Sequence, residues 1–356
     1  MLFGYPKEAA KETWFHECVV VMLQAIHESI RNGQEPPAWP AIIPLEHRND
    51  LRRKTGLRDR LKKYQDTIAL LTADEAIKVL KALVEQNDIE HLLSGECECN
   101  AIDELPEIIW EPIQSLFEYG FNLLGALGIR DRQYEIIFDA TPFHVCPFCG
   151  VEYFDDPAAP REPLDHYLPR SRYPFAAINP RNLIPMGGKC NSKYKLAKDI
   201  LFADDGTRRK VADPYNWGST NISLVDSVPF EGTREIFPLP LWQIEFEPDV
   251  DELSTWDSVF DIKQRYRRDV LDADFMSMLR EFSIYCKDRK VKIKSPKDIV
   301  DALENFSEYW KESGMKDKAF MKAAVFDMLC HHCKQGNDRL IELISGVVIG
   351  GMSLNA

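Results

Sequence analysis

Apolar residues recur at helical spacing through most of this chain. Between residues 13 and 32, Phe15, Cys18, Val19, Met22, Ile26 and Ile30 fall on one side of a helix. Pro36, Pro37 and Pro40 end that pattern, and a Pro-rich connector runs to Pro44. From Leu51 to Tyr64, Leu51, Leu57 and Leu61 alternate with Arg52, Arg53, Arg58, Arg60, Lys62 and Lys63, which predicts a helix with a basic outer face. That face reads first as solvated, and only second as a nucleic-acid contact. Thr72 and Glu75 have capping-box spacing ahead of a helix over 76–86, whose expected buried face is Ile77, Leu80 and Val84. Further helices are expected over 112–127, 255–285, 295–312 and 317–333, the third with Pro296 where its missing N–H costs nothing. Tyr134 to Phe138 is a short apolar element. Trp242, Ile244 and Phe246 alternate with polar residues, as in a half-buried strand. The expected fold class is mainly α with a small embedded α+β module. The expected domains are a helical region over 1–130, a central module over 131–216 and a mostly helical region over 217–356.

Composition narrows this picture. A chain of 356 residues, 45% hydrophobic, can bury a sizeable core and divide into more than one domain. No apolar run is long enough to cross a bilayer; Ile344 to Met352 is short and broken by Gly346, Gly350 and Gly351. Lys7, Glu8, Lys11 and Glu12 argue against a signal peptide, so the expectation is a cytoplasmic protein with no membrane partner. The nine cysteines include the close pairs Cys97/Cys99, Cys146/Cys149 and Cys330/Cys333, a usage that suggests metal ligands or buried thiols in a reducing compartment. Cys97 and Cys99 have no supporting ligand nearby and read as loop cysteines. Cys330 and Cys333 share a helix face with core residues, while His331 and His332 point elsewhere, so packing outranks metal binding there. Trp110, Trp242, Trp256 and Trp310 read as core or half-buried packing residues.

A net charge of −13 weighs against an indiscriminate nucleic-acid binder. The charge is uneven, however. Eight Lys or Arg face three acids between Arg161 and Asp199, and the same counts hold between Glu46 and Lys63. Two basic islands on an acidic body suit a local phosphate-binding surface.

The first island holds the densest chemistry. Cys146-Pro-Phe-Cys149-Gly150 is followed by Leu164-Asp165-His166-Tyr-Leu-Pro169, then by Asn182-Leu183, then by Cys190-Asn191-Ser-Lys193. A carboxylate such as Asp165 and an amide such as Asn191 are hard oxygen donors suited to Mg²⁺ or Mn²⁺. His166 adjoins Asp165, and imidazole is the usual general base near neutral pH. Neighbouring strand residues face opposite ways, so both can serve one site only where the backbone bends, as at a strand end. Arg170, Lys193, Lys195 and Lys198 could neutralise flanking phosphates.

As a set and in this order, these motifs resemble the HNH endonucleases, a ββα-metal family, over about fifty residues. The resemblance implies a two-stranded hairpin followed by a helix. It places a catalytic divalent ion on Asp165 and Asn191 and the general base at His166. It gives Asn182 the part of tying the loop that holds His166. It implies hydrolysis of phosphodiester bonds in DNA. Some bacterial HNH proteins with a similar Leu164–Pro169 segment look like effectors of anti-phage defence systems working with an ATPase, which implies a protein partner of that kind. Two alternatives stand beside this: a module that grips nucleic acid without cutting, and a nuclease latent until a partner binds.

Zinc-bearing members of the family clamp hairpin and helix with two CxxC pairs. Cys146 and Cys149 match the first pair and Cys190 the end of the second, but Gly187 stands where its first cysteine would be. A structural Zn²⁺ wants four ligands. His144 or a residue distant in sequence could supply the fourth; without one, the cysteines pack with no metal.

Overall fold

The computed structural model describes residues 1–160, 162–230 and 239–349. Arg161 and the Gly350–Met352 end of the late apolar run lie outside them. The described chain falls into two compact units. The first holds residue 1, residues 3–148 and residues 152–218; the second holds residue 2, residues 149–151 and everything from 219 onward.

The first unit is a helical body that carries a small sheet. Its helices are α1 (Trp14–Arg31), α2 (Arg48–Leu51), α3 (Thr55–Ile68), α4 (Ala73–Glu85), α5 (Ile89–Ser94), α6 (Glu107–Ala126) and α7 (Ile129–Ala140). α1 buries Phe15, Cys18, Val19, Met22 and Ile26, the face its periodicity predicts. The basic helix expected from Leu51 is split, because a turn over 52–54 separates α2 from α3. Leu51, Leu57 and Leu61 are nonetheless all buried. Its cations face acids of the chain itself: Arg58 meets Asp59, Lys62 meets Asp66 and Lys63 meets Glu111. Arg60 lies over the Tyr119 ring.

α4 starts at the expected capping box: the Thr72 hydroxyl accepts the Glu75 N–H, and the Glu75 carboxylate accepts the Thr72 N–H. The buried face differs from expectation. Ile77 and Val84 are exposed, while Val79, Ala82 and Leu83 are buried. Gln86 continues that stripe, giving its side-chain N–H to Asn100 O and accepting the Phe175 N–H. α6 also begins earlier than expected, at Glu107, with Pro112 inside it. Pro112 forfeits one backbone bond there, but its ring is buried. The element read at Tyr134–Phe138 is the last part of α7.

Two strands follow, β1 (Leu164–His166) and β2 (Leu183–Pro185), paired antiparallel with Asp165 opposite Ile184 and His166 opposite Leu183. After β2 the chain makes a π-helical turn over Cys190–Lys195.

The second unit pairs β3 (Asn221–Ser223) with β4 (Glu245–Glu247). Trp242, Ile244 and Phe246 are buried and alternate with exposed residues, as expected. Its helices are α8 (Asp251–Phe260), α9 (Ile262–Tyr266), α10 (Asp272–Asp288), α11 (Pro296–Glu312), α12 (Ala319–Lys334) and α13 (Asp338–Ile349). The span read as one helix over 255–285 is broken at Asp261, whose φ of 54° is left-handed. On α12, Cys330 and Cys333 are buried, His332 meets Ser227 O at 2.8 Å and His331 meets Gln335. These contacts fit packing. No described helix is long and apolar enough to cross a membrane. The architecture is mainly helical with two small two-stranded sheets.

Candidate active site

β1 is short, and His166 is its last residue. The pairing with the second strand goes on through Tyr167 N–H to Asn182 O at 2.9 Å. Asn182 then fixes the turn that follows. Its Oδ1 accepts the Leu168 N–H at 2.6 Å, and its Nδ2 donates to Leu168 O and Ala176 O, each at 3.2 Å. The side chain is fully buried and its hydrogen-bonding capacity is spent on the backbone. The next carbonyl along, Ala177 O, receives His166 Nε2 at 3.0 Å. One clamp therefore holds both the residues after the imidazole and the turn that orients it.

A carbonyl only accepts, so Nε2 carries the proton and Nδ1 keeps its lone pair. Nδ1 makes no hydrogen bond among the described residues and is not one of the buried nitrogens lacking a partner, so water can reach it. Burial pushes the His166 pKa down to about 4, against the pull of Asp165 and of the Ala177 carbonyl, while Arg170 and Lys195 push it lower still. The imidazole is thus neutral at pH 7, but further below working pH than an exposed histidine. The Phe121 ring lies 4.6 Å away, centroid to centroid, and Arg130 sits over its face at 4.4 Å.

The Asp165 side chain is 28% exposed, and its nearest cation is Lys195 Nζ at 3.8 Å, beyond hydrogen-bond reach. Its carboxylate makes no hydrogen bond among the described residues. Lys195 is 1% exposed, so it faces this carboxylate rather than solvent. Burial lowers its pKa, and Asp165 and Asp199 pull it back up. Asn191 lies one turn earlier on the same π-helical turn, half-buried, its carboxamide making no hydrogen bond among the described residues. The two asparagines therefore differ in kind: Asn182 is consumed by the fold, and Asn191 is available. One carboxylate and one amide without competing donors fit a hard divalent cation.

Arg170, Lys193 and Lys198 are exposed. Arg170 is 3.6 Å from Glu118 and borders a cavity of about 220 Å³ lined also by Gln114, Phe117, Ser171 and Ala177. That cavity adjoins the carbonyl on which His166 rests.

Upstream, the chain folds back tightly over residues 144–154. Phe154 N–H donates to His144 O, and Cys146 N–H to Glu152 O at 2.8 Å. Gly150, with φ of 64°, makes the turn after Cys149. The sulfurs of Cys146, Cys149 and Cys190 lie within 4.8 Å of one another, all buried. Gly187 N–H donates to Cys146 Sγ at 3.2 Å. Three converging sulfurs fit a soft or borderline ion such as Zn²⁺. His144 does not join them: neither of its ring nitrogens lies within 4.8 Å of all three sulfurs, and its ring stacks on Phe138 at 3.8 Å. Cys97 and Cys99 stay apart from any such cluster, and burial raises the pKa of both thiols, that of Cys99 to about 12.

Sequence reasoning missed Phe121, Arg130 and the Ala177 carbonyl. Only the tertiary packing of α6 and α7 brings the two side chains there, and no local pattern marks it. No protein-family model, curated protein or solved structure matches this chain.

Proposed function

We propose that the chain is an HNH-type, metal-dependent endonuclease acting on DNA. The reading is carried by one observation. His166 is held neutral, with Nε2–H on Ala177 O and Nδ1 open, beside a carboxylate that makes no hydrogen bond among the described residues. His166 Nδ1 takes a proton from the attacking water. The imidazolium so formed is stabilised by the Ala177 carbonyl and by the charge of Asp165. Asp165 and Asn191 would hold the divalent ion, Mg²⁺ or Mn²⁺. When bound, that ion supplies charge neutralisation at the scissile phosphate and the departing 3′-oxygen. Arg170, Lys193 and Lys198, all exposed, steady the flanking phosphates. Lys195 is not one of this outer group; it balances charge inside the site.

Supercoiled plasmid tests this directly. Nicking is expected with Mg²⁺ and not with EDTA, and His166→Ala is expected to cut the rate about 10²- to 10⁴-fold. Equal cleavage by wild type and His166→Ala would refute the assignment.

One observation favours a second reading, a nuclease latent until a partner binds. The Lys195 ammonium already neutralises Asp165 from within the core, and must give way electrostatically when a divalent ion arrives. An ATPase of an anti-phage defence complex is the partner this reading takes. Free cleavage by the isolated protein at physiological salt would remove it; cleavage seen only after the partner is added would support it.

A further inference from the structure

We propose that Glu152 is the fourth ligand of a zinc site built on Cys146, Cys149 and Cys190, replacing the side chain absent at position 187. The proposal does not depend on nuclease activity. Three thiolates leave one corner of a tetrahedron open. In this chain the corner that a second CxxC would fill belongs to Gly187, which has no side chain. A Cβ built there would lie 2.7 Å from Glu152 Oε2 and 2.9 Å from its Cδ. The carboxyl group therefore stands where a side chain at 187 would be. That place borders the sulfurs, because the Gly187 N–H itself donates to Cys146 Sγ.

Glu152 is also tied to both arms of the cluster. Its carbonyl accepts the Cys146 N–H, and its Oε1 accepts the N–H of Lys189, the residue before Cys190, at 2.9 Å. No carboxylate oxygen of Glu152 lies within 4.8 Å of all three sulfurs, so ligation requires the side chain to turn toward them from its place beside Gly187. Carboxylate oxygen is an ordinary zinc donor alongside thiolate. Three thiolates and a carboxylate place four negative charges around a doubly charged ion. The N–H groups of Gly187 and Lys189, aimed at Cys146 Sγ and Glu152 Oε1, offset part of that excess.

The test uses the full chain and two readouts that do not involve DNA: zinc per chain by mass spectrometry, and the visible spectrum after Co²⁺ replaces Zn²⁺. Wild type is expected to retain one zinc through dialysis. Its Co²⁺ form should show tetrahedral bands with thiolate charge transfer that added cyanide does not shift. Glu152→Gln should weaken zinc binding by more than the roughly 10- to 100-fold that loss of an outer-shell partner costs. The double variant Glu152→Ala/Gly187→Cys should recover retention, with bands moved to longer wavelength by the fourth thiolate. This rescue keeps the test informative if Glu152→Gln folds poorly. Wild type without zinc would overturn the proposal. So would a Glu152→Gln variant with wild-type affinity and spectrum, or a wild-type spectrum that cyanide shifts. Cleavage can fail while these readouts succeed, and the reverse, so the two proposals fall separately.

Discussion

The two asparagines of the motif make the sharpest contrast at the scale of single residues. Asn182→Ala strands one buried N–H and two carbonyls of the clamp. Each orphaned group costs about 1–3 kcal/mol, so a loss of about 3 kcal/mol is expected in urea unfolding. Activity should fall with it, because Ala176, which the clamp holds, precedes the carbonyl that orients His166. Asn191→Ala removes no hydrogen bond among the described residues. It should leave unfolding within about 0.5 kcal/mol of wild type while raising the Mg²⁺ concentration needed for cleavage. Equal destabilisation by both changes would show that the fold does not distinguish them. Asp165 and His166 were legible in the sequence because adjacent residues with metal-binding and proton-transfer chemistry stand out locally. Ala177 was not, since a backbone carbonyl carries no residue signature. Phe121 and Arg130 look like any helix residues until α6 and α7 pack.

Among the elements, α4 shows where periodicity runs out. Two apolar stripes at helical spacing lie on this one helix, Ile77/Leu80/Val84 and Val79/Ala82/Leu83, and spacing alone does not choose between them. Gln86 lies fully buried at the end of the second stripe, its amide meeting Asn100 O and the Phe175 N–H, so the stripe that faces inward ends in a satisfied polar group. Leu83→Ala is expected to cost about 2–5 kcal/mol and Ile77→Ser less than about 0.5 kcal/mol by urea unfolding. The reverse order would restore the face expected from the sequence. Caps were more legible than faces. The Thr72 capping box forms as read, because a cap depends on residues only three apart. The start of α6 was misjudged for a related reason: Pro112 looks like a first-turn proline, but Pro106 takes the position before the helix.

For the molecule as a whole, charge and proton binding set the conditions under which it works. His16 and His27 are both buried, and burial lowers the pKa of each to about 4. An unfolded histidine titrates near 6.5, so between about 6.5 and 4 the unfolded chain binds more protons than the folded one. The stability these residues contribute is complete above about pH 6.5 and is lost as the pH falls toward 4. Denaturation midpoints measured across that window should drop, and His27→Gln, retaining a partner for the Tyr64 hydroxyl, should flatten the slope. A net charge of −13 opposes DNA, so the proposed nuclease reading relies on its local exposed cations. If Arg170, Lys193 and Lys198 are those cations, the logarithm of affinity should fall with the logarithm of salt at a slope near −3, and Lys195→Met should leave that slope unchanged. The ladder between β1 and β2 spans only three residues a side. A slide of one position would exchange the faces of every side chain on the strand, and the burial of Leu164, His166 and all three residues of β2 already sets against it. The Leu168–Asn182 clamp adds a restraint in hydrogen bonds to that of burial, which makes a buried amide a guardian of strand alignment: it keeps the imidazole and the carboxylate on their separate sides of the strand.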